Sequence, residues 1–486
     1  MTDDRPTPSA IAEQAYQPVT PAIAAELRAI VGDNYVIYGE PERMLDYAHD
    51  EVAGEEYAHM PEVVVKPGDA AQIAAIMRLA NRARIPVTPR GAGSGLSGGA
   101  VPVLGGILLS VERMNRILEI DRANMMAVVE PGVVTNDINE ACKPHGLFYA
   151  GYPMSVESCF IGGNVAENAG GGRAIKYGVT ERYVLGLEVV LPTGEIIELG
   201  GKRVKDVTGY NLLHLMVGSE GTLGIFTRII LRLLPLPTVR MTMLVPFADV
   251  ASAIAAVPRV MTQGGIVPAA VEFMDRLSME TGYAHVGERL PNPKAGALLL
   301  IEVDGSSAAP VEADLNTLVD LCLEEGALDA YVANTPTQIT RMWHPRQVIA
   351  EALKVTYVEQ SAEDLVMPMA QIPHLIPELD RLAARYPVLL PAFGHAGDGN
   401  IHVHIVKRPE APVAEYRATL PTLLEELYTA VARLGGTISG EHGIGSKRSR
   451  YLPLVQDPTT IALQRRIKAA FDPLHILNPG KIFPAA

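Results

Sequence analysis

Cysteine is scarce. The 486 residues hold three, Cys142, Cys159 and Cys322, and none belongs to a CxxC pair. An odd, sparse set excludes a disulfide framework and fits a reducing compartment. It also withholds the ligands of an iron–sulfur cluster or a thiolate zinc site. Aromatic residues are few, 5% of the chain with a single tryptophan, Trp343. No apolar run approaches the roughly 18 residues that span a bilayer. The opening MTDDRPTPSA lacks a basic stretch followed by an apolar one, so no secretory leader is expected and the expected location is the cytoplasm. Positive charge is also wanting: the formal net charge is -14 and the pI about 5.4. That argues against nucleic acid or an anionic membrane as the main partner, but leaves room for a basic pocket.

What is present suits a globular protein. Hydrophobic residues make up 48% and charged residues 20%, enough to fill a core. The length calls for two or more domains. In the N-terminal arm, Thr20, Pro21 and Gly32 read as the cap, first position and stop of one helix. Val63–Val65 reads as a buried strand, Asp69 as the cap of a helix with Ile73, Ile76, Met77 and Ala80 inside, and Val87–Thr88 as a second strand. Short β-type runs separated by Gly and Pro continue to the LLPLP stretch at 233–237, a candidate boundary. Beyond it, strands and helices alternate as in an α+β domain with an antiparallel sheet and helices on one face. Thr422 and Glu425 form a capping-box pattern, and Gly435–Gly436 a stop. The expected organisation is an arm over 1–56, a domain over 57–236, a second over 237–435, and a closing segment over 436–486.

The densest motif is PRGAGSGLSGGA at 89–100. Gly93, Gly95 and Gly98 match G-x-G-x-x-G, yet the loop runs into Gly99, Pro102, Gly105 and Gly106, which cannot continue a helix. A Rossmann site therefore does not fit. A glycine nest with inward N–H groups, aided by Arg90 and Ser94, suits phosphate oxygens instead. Two more Gly-rich stretches, 161–178 and 217–225, suggest one long ligand, such as a dinucleotide, wrapped by several loops.

In the C-terminal half, His395 lies in a Gly-rich loop, His402 opens a strand-like IHVHIV, and Glu441 sits in SGEHGIG. Alternation places His402 and His404 on one strand face. Two imidazoles and a carboxylate are a ligand set typical of Zn²⁺, and acceptable to Mn²⁺ or Fe²⁺.

Six ordered motifs give a resemblance covering residue 40 to the end: PRGAGSGLSGGA, PMSVESCFIGGNVAENAGG and DVTGYNLLHLMVGSEGTLGIFT, then GHAGDGNIHVHI, SGEHGIGSKR and FDPLHILNPGKIF. The first three resemble the FAD-binding domain of the vanillyl-alcohol-oxidase type (PCMH-type). The rest resembles the branch of that family that holds glycolate oxidase, D-lactate dehydrogenase and D-2-hydroxyglutarate dehydrogenase. The resemblance implies a two-subdomain FAD domain, an α+β ferredoxin-like cap, and a C-terminal tail that returns to the FAD domain. It implies that Pro89, Arg90, Gly91, Ala92, Gly93, Ser94 and Gly95 cradle the pyrophosphate. Pro153, Ser155, Ser158, Gly162, Gly163, Asn164, Asn168, Gly170, Glu220, Gly221 and Ile225 would follow the rest of the cofactor, and Asn478 would approach the flavin. With no histidine in the first loop, the FAD is expected to be noncovalent. His395, His402 and Glu441 would be the metal ligands, His442 the base and Arg346, in a W-x-x-R stretch, the carboxylate clamp. His404 departs from the asparagine of many relatives. Lys447 and Arg448 are read as acid-attracting or solvent-facing, with solvent favoured for one of them.

The implied activity is oxidation of a D-2-hydroxy acid, with D-lactate foremost and glycolate or D-2-hydroxyglutarate as alternatives. Electrons would pass to a separate acceptor such as an electron-transfer flavoprotein, a quinone-linked subunit or a cytochrome. The resemblance allows a homodimer. Two other readings make different predictions: a metal-dependent hydrolase would be colourless, and a nonredox FAD-fold enzyme would bind FAD that hydroxy acids do not reduce.

Overall fold

The computed structural model describes residues 16–151 and 153–484. The first sheet contains β1 (Val36–Ile37), β2 (Val63–Val65), β3 (Val87–Arg90) and β4 (Ile107–Ser110), in the order β1-β2-β4-β3. β2, β4 and β3 run parallel, while β1 is antiparallel to β2. Helix Ala70–Ala83 links β2 to β3, and Asp69 caps it by accepting from the Gln72 amide at 2.8 Å. Ile73, Ile76, Met77 and Ala80 are buried, so the helix lays its apolar stripe on the sheet. Helix Pro21–Val31 packs nearby, with Thr20 and Gly32 at its ends as expected. The link from β3 to β4 contains no helix. It is the glycine loop itself, which excludes a Rossmann crossover.

Seven strands follow: β5 (Ile117–Asp121), β6 (Met126–Val129), β7 (Leu147–Phe148), β8 (Val184–Val190), β9 (Ile196–Gly200), β10 (Ile225–Arg232) and β11 (Leu234–Pro235). β7 pairs with β11, and the others form an antiparallel sheet in the order β5-β6-β10-β8-β9. Val190 and Ile225 join the core of the first sheet, which locks the two sheets together.

The C-terminal half is built on β12 (Val239–Phe247), β13 (Ala270–Asp275), β14 (Ala297–Gly305), β15 (Tyr331–Ala333), β16 (Gln360–Val366), β17 (Val388–Leu389), β18 (Ala392–His395) and β19 (Asn400–Lys407). Its antiparallel order is β15-β12-β14-β13-β18-β19-β16, with β17 against β19. Helices cover both faces, not one as expected. Ala297, Leu299, Ile301 and Val303 of β14 pack in the core of helices Val250–Gln263, Ala308–Glu324, Ile372–Arg385 and Val413–Arg433. Leu298 and Leu300 point the other way, against Met279, Tyr283, Trp343 and Leu353 of three further helices. A period-2 strand with both faces apolar needs cover on both.

The helix expected to start at Thr422 starts at Val413 instead, capped at Pro412, so Thr422 lies inside it. Tyr416 is buried one turn in, and its hydroxyl reaches the Ile405 carbonyl at 2.9 Å, so tertiary packing extends the helix past the local cap signal. Gly435, at φ 73°, follows its end as read from the sequence. The C-terminal tail returns to the first sheet: Leu477 bridges Val87 in parallel, and the Asn478 amide donates to the Val87 carbonyl at 2.7 Å. The three cysteines are buried and free. Among the described residues no helix is long and apolar enough to cross a membrane.

Candidate active site

A cavity of about 550 Å³ lies between the two halves. One wall is backbone. Gly91 to Leu96 line it, and the amides from Ala92 to Leu96 donate to no protein acceptor among the described residues. A run of free N–H groups facing a cavity is an anion cradle. Gly163 lies on the same wall, and a Cβ there would meet no atom within 4 Å, so its open side faces cavity space. The donor set and the room fit the pyrophosphate of a dinucleotide.

Of the residues expected along the cofactor, Gly91, Ala92, Gly93, Ser94, Gly95, Pro153, Ser155, Ser158, Gly163, Asn164 and Gly170 line the cavity. The others support it from behind. Arg90 turns away: its guanidinium donates to the His49 and Asp46 carbonyls at 2.7 and 2.9 Å, holding the N-terminal arm. Gly162 packs on Pro131, where a Cβ would lie 2.6 Å from the proline Cβ. Asn168, at φ 54°, accepts from the Glu181 amide at 2.9 Å. Glu220 accepts from the Ile444 and Gly445 amides at 2.8 and 2.6 Å, tying the SGEHGIG loop to the N-terminal half. Pro89, Gly221 and Asn478 meet behind the loop, and Asn478 Nδ2 donates to the carbonyls of Gly99 and Glu220. Ile225 is buried at the start of β10.

The opposite wall is side-chain chemistry. β18 ends on His395 and β19 carries His402; β18 and β19 pair in antiparallel register across Phe393↔His402. His395 Nε2 and His402 Nε2 each lie 3.5 Å from Glu441 Oε1 and 3.4 Å from each other. One donor atom from each of the three could therefore hold a single ion. His442 stacks on His402 with ring centroids 5.2 Å apart. Arg346 is 3% exposed, and its guanidinium lies 4.9 Å from the Phe393 ring.

Two buried carboxylates that the motifs did not flag organise this wall. Asp364 Oδ2 accepts from Ser439 Oγ and from the Gly440, Glu441 and His442 amides at 2.8–2.9 Å, and Oδ1 from Asn400 Nδ2 at 2.7 Å. It thereby fixes the loop that presents Glu441 and His442. Glu272 takes His395 Nδ1 at 2.7 Å, and its second oxygen lies 2.5 Å from Arg346 Nη2. That contact is an ion pair without hydrogen-bond alignment, so Arg346 Nε and Nη2 keep donor capacity. No sequence motif marks Asp364, which follows Glu363 in the mixed strand Gln360–Val366.

The family comparison decides the cofactor class. The FAD binding domain family matches residues 61–200, and the family of FAD linked oxidases, C-terminal domain, matches residues 236–482. The chain belongs to the FAD-linked oxidases. This FAD-linked oxidase is 39% identical over 445 residues to glycolate oxidase subunit GlcD of Bacillus subtilis, covering 90% of this chain and 92% of that one. It is 36% identical over 477 residues to D-lactate dehydrogenase of Anaerostipes hadrus, covering 97% and 99%. It is 34% identical over 428 residues to D-2-hydroxyglutarate dehydrogenase of Xanthomonas citri pv. viticola, covering 87% and 89%. Among solved structures it resembles p-cresol methylhydroxylase, with a TM-score of 0.77 at 19% identity, over 96% of this chain and 98% of that one. It also resembles 4-ethylphenol oxidase from Gulosibacter chungangensis, with a TM-score of 0.76 at 21% identity, over 95% and 97%. These two share the fold. The relatives make this protein a FAD-dependent 2-hydroxy-acid oxidoreductase.

Electrostatics set the oxidase's side-chain wall. Burial works to raise the Glu441 carboxyl, but the charge and hydrogen bond of His395 hold it at about 2. Burial pushes His442 down to about 4, against the pull of Asp364. Burial would lower His395, yet the Glu272 and Glu441 carboxylates raise it well above its usual value. Glu272 pairs with Arg346 and His395, Asp364 faces His402 and His442, and Glu441 faces His395 and His402. Lys447 and Arg448 are both buried, which corrects the solvent reading. Glu363 sits 3.0 Å from Lys447 and 3.5 Å from Arg448, and that paired carboxylate makes their burial tolerable.

Proposed function

We propose that this FAD-linked oxidase converts a short D-2-hydroxy acid, of the D-lactate class, to its 2-oxo acid and passes the electrons to a separate acceptor, in the cytoplasm. The observation that carries the reading is one cavity joining a free-amide cradle to Arg346, His442, His402 and Glu441, with His395 beside the last two. When bound, FAD supplies a hydride acceptor at N5, and a divalent ion, Zn²⁺ or else Mn²⁺ or Fe²⁺, supplies a Lewis acid at those three residues. Two imidazoles and a carboxylate whose donor atoms lie within 3.5 Å of one another suit such an ion. Arg346 uses its remaining donors on the substrate carboxylate, since a planar fork matches two oxygens. His442, kept uncharged by burial, takes the hydroxyl proton as the C2–H bond gives up its hydride and the C2–O bond becomes a carbonyl. Asp364, 3.9 Å from His442 Nδ1, steadies the imidazolium that results.

The anaerobic visible spectrum tests this. A noncovalent flavin that bleaches with D-lactate, glycolate or D-2-hydroxyglutarate supports the reading. A flavin indifferent to all three moves the function to another alcohol or to the nonredox branch. Elemental analysis should find a divalent metal in the wild type and lose it in His395→Ala; full occupancy in that variant removes His395 from the ligand set.

A further inference from the structure

His404 lines the cavity two residues beyond His402 on β19, while Val403 between them faces the core. Its chemistry is set by a neighbour. Gln360 Nε2 donates to the Tyr357 carbonyl at 3.0 Å, so its amide oxygen is the end that meets His404 Nδ1, at 2.7 Å. An amide oxygen only accepts, so Nδ1 must carry the imidazole proton. The other ring nitrogen, Nε2, has no protein partner among the described residues and opens onto the cavity. In the neutral ring it is an acceptor.

Position on the strand says which substrate atom it meets. Two residues on one strand face are about 6.6 Å apart. A vicinal pair of oxygens followed by one hydrogen bond of about 2.8 Å spans that gap from the reacting hydroxyl beside His402. The group at the next carbon therefore has to be a donor. A methyl would leave Nε2 unpaired, and a carboxylate would set acceptor against acceptor.

We infer that His404 is a specificity-determining residue, and that the preferred acid carries a hydroxyl on the carbon next to the reacting one, making it a 2,3-dihydroxy acid. The inference rests on the proposed function and names its substrate class.

The test is anaerobic flavin reduction by the holoenzyme at pH 8, with D-glycerate, D-lactate, glycolate and D-2-hydroxyglutarate. D-glycerate should exceed D-lactate in kcat/KM by roughly tenfold. His404→Phe should bring that ratio towards unity, and His404→Gln, which keeps an acceptor, should restore part of it. A ratio that both variants leave at the wild-type value overturns the inference. So does lactate equal to or better than glycerate, and the proposed function then stands. A preference for D-2-hydroxyglutarate also overturns it, and points to Lys447 as the partner of a distal carboxylate. A flavin that none of the four acids reduces overturns the proposed function and the inference with it.

Discussion

The two walls of the cavity are made in opposite ways. The N-terminal wall works by what it leaves out: glycines remove side chains, and the amides from Ala92 to Leu96 have no protein acceptors among the described residues. The C-terminal wall works by what it packs in: four histidines, three carboxylates and an arginine, nearly all buried. A backbone wall depends on local chain chemistry. A wall of buried charge depends on partners from distant strands, because each charge is costly unless another meets it.

The largest effect should come from the charged wall. Asp364→Ala removes the acceptor of five hydrogen bonds, four of them from the loop that carries Glu441 and His442. It should lower stability by about 3–5 kcal/mol in a denaturant titration and abolish substrate-driven flavin reduction. A variant that keeps both would show that the loop holds itself. His442→Ala should fold, keep its FAD and lose roughly 10²–10⁴ in the rate of flavin reduction in stopped flow. Rapid bleaching would remove His442 as the base.

On the backbone wall, Gly163→Val should keep the fold, since a Cβ there meets nothing, yet retain FAD on the order of tenfold less well by equilibrium dialysis. Unchanged retention would place the cofactor elsewhere. The smallest effect concerns the tail. Burial pushes Lys481 down to about 7. Below pH 7 the ammonium is charged in folded and unfolded chains alike, and the fold bears its burial. Between pH 7 and about 10.5 the unfolded chain holds more protons, so this group makes stability rise with pH. The stability difference between Lys481→Met and the wild type should therefore narrow across that window in urea titrations at stepped pH. A constant difference would mean that the ammonium stays charged.

Legibility follows the same divide. The glycine loop, the capped helices near Thr20 and Asp69, and the trio His395, His402 and Glu441 could be read as local signals. Thr422 misled because a cap pattern is only a local preference, and buried Tyr416 drew the helix back to Val413. Arg90 misled because donor chemistry says nothing of direction, and its guanidinium found the carbonyls of the arm. Glu272 and Asp364 were invisible because their partners lie 123 and 36 to 78 residues away in sequence.

By itself the sequence determined where the chain bends freely, which segments could be strands and helices, and which residue types were available for a cofactor and a metal. These are properties of single residues and their near neighbours. Only the tertiary structure decided which way Arg90 and Arg346 point, that Lys447 and Arg448 are buried, and that Asp364 and Glu272 hold the segments that carry Glu441, His442 and His395. Those outcomes depend on sheet order and register, which bring distant residues within hydrogen-bond reach and make burial affordable only where an opposite charge is already waiting.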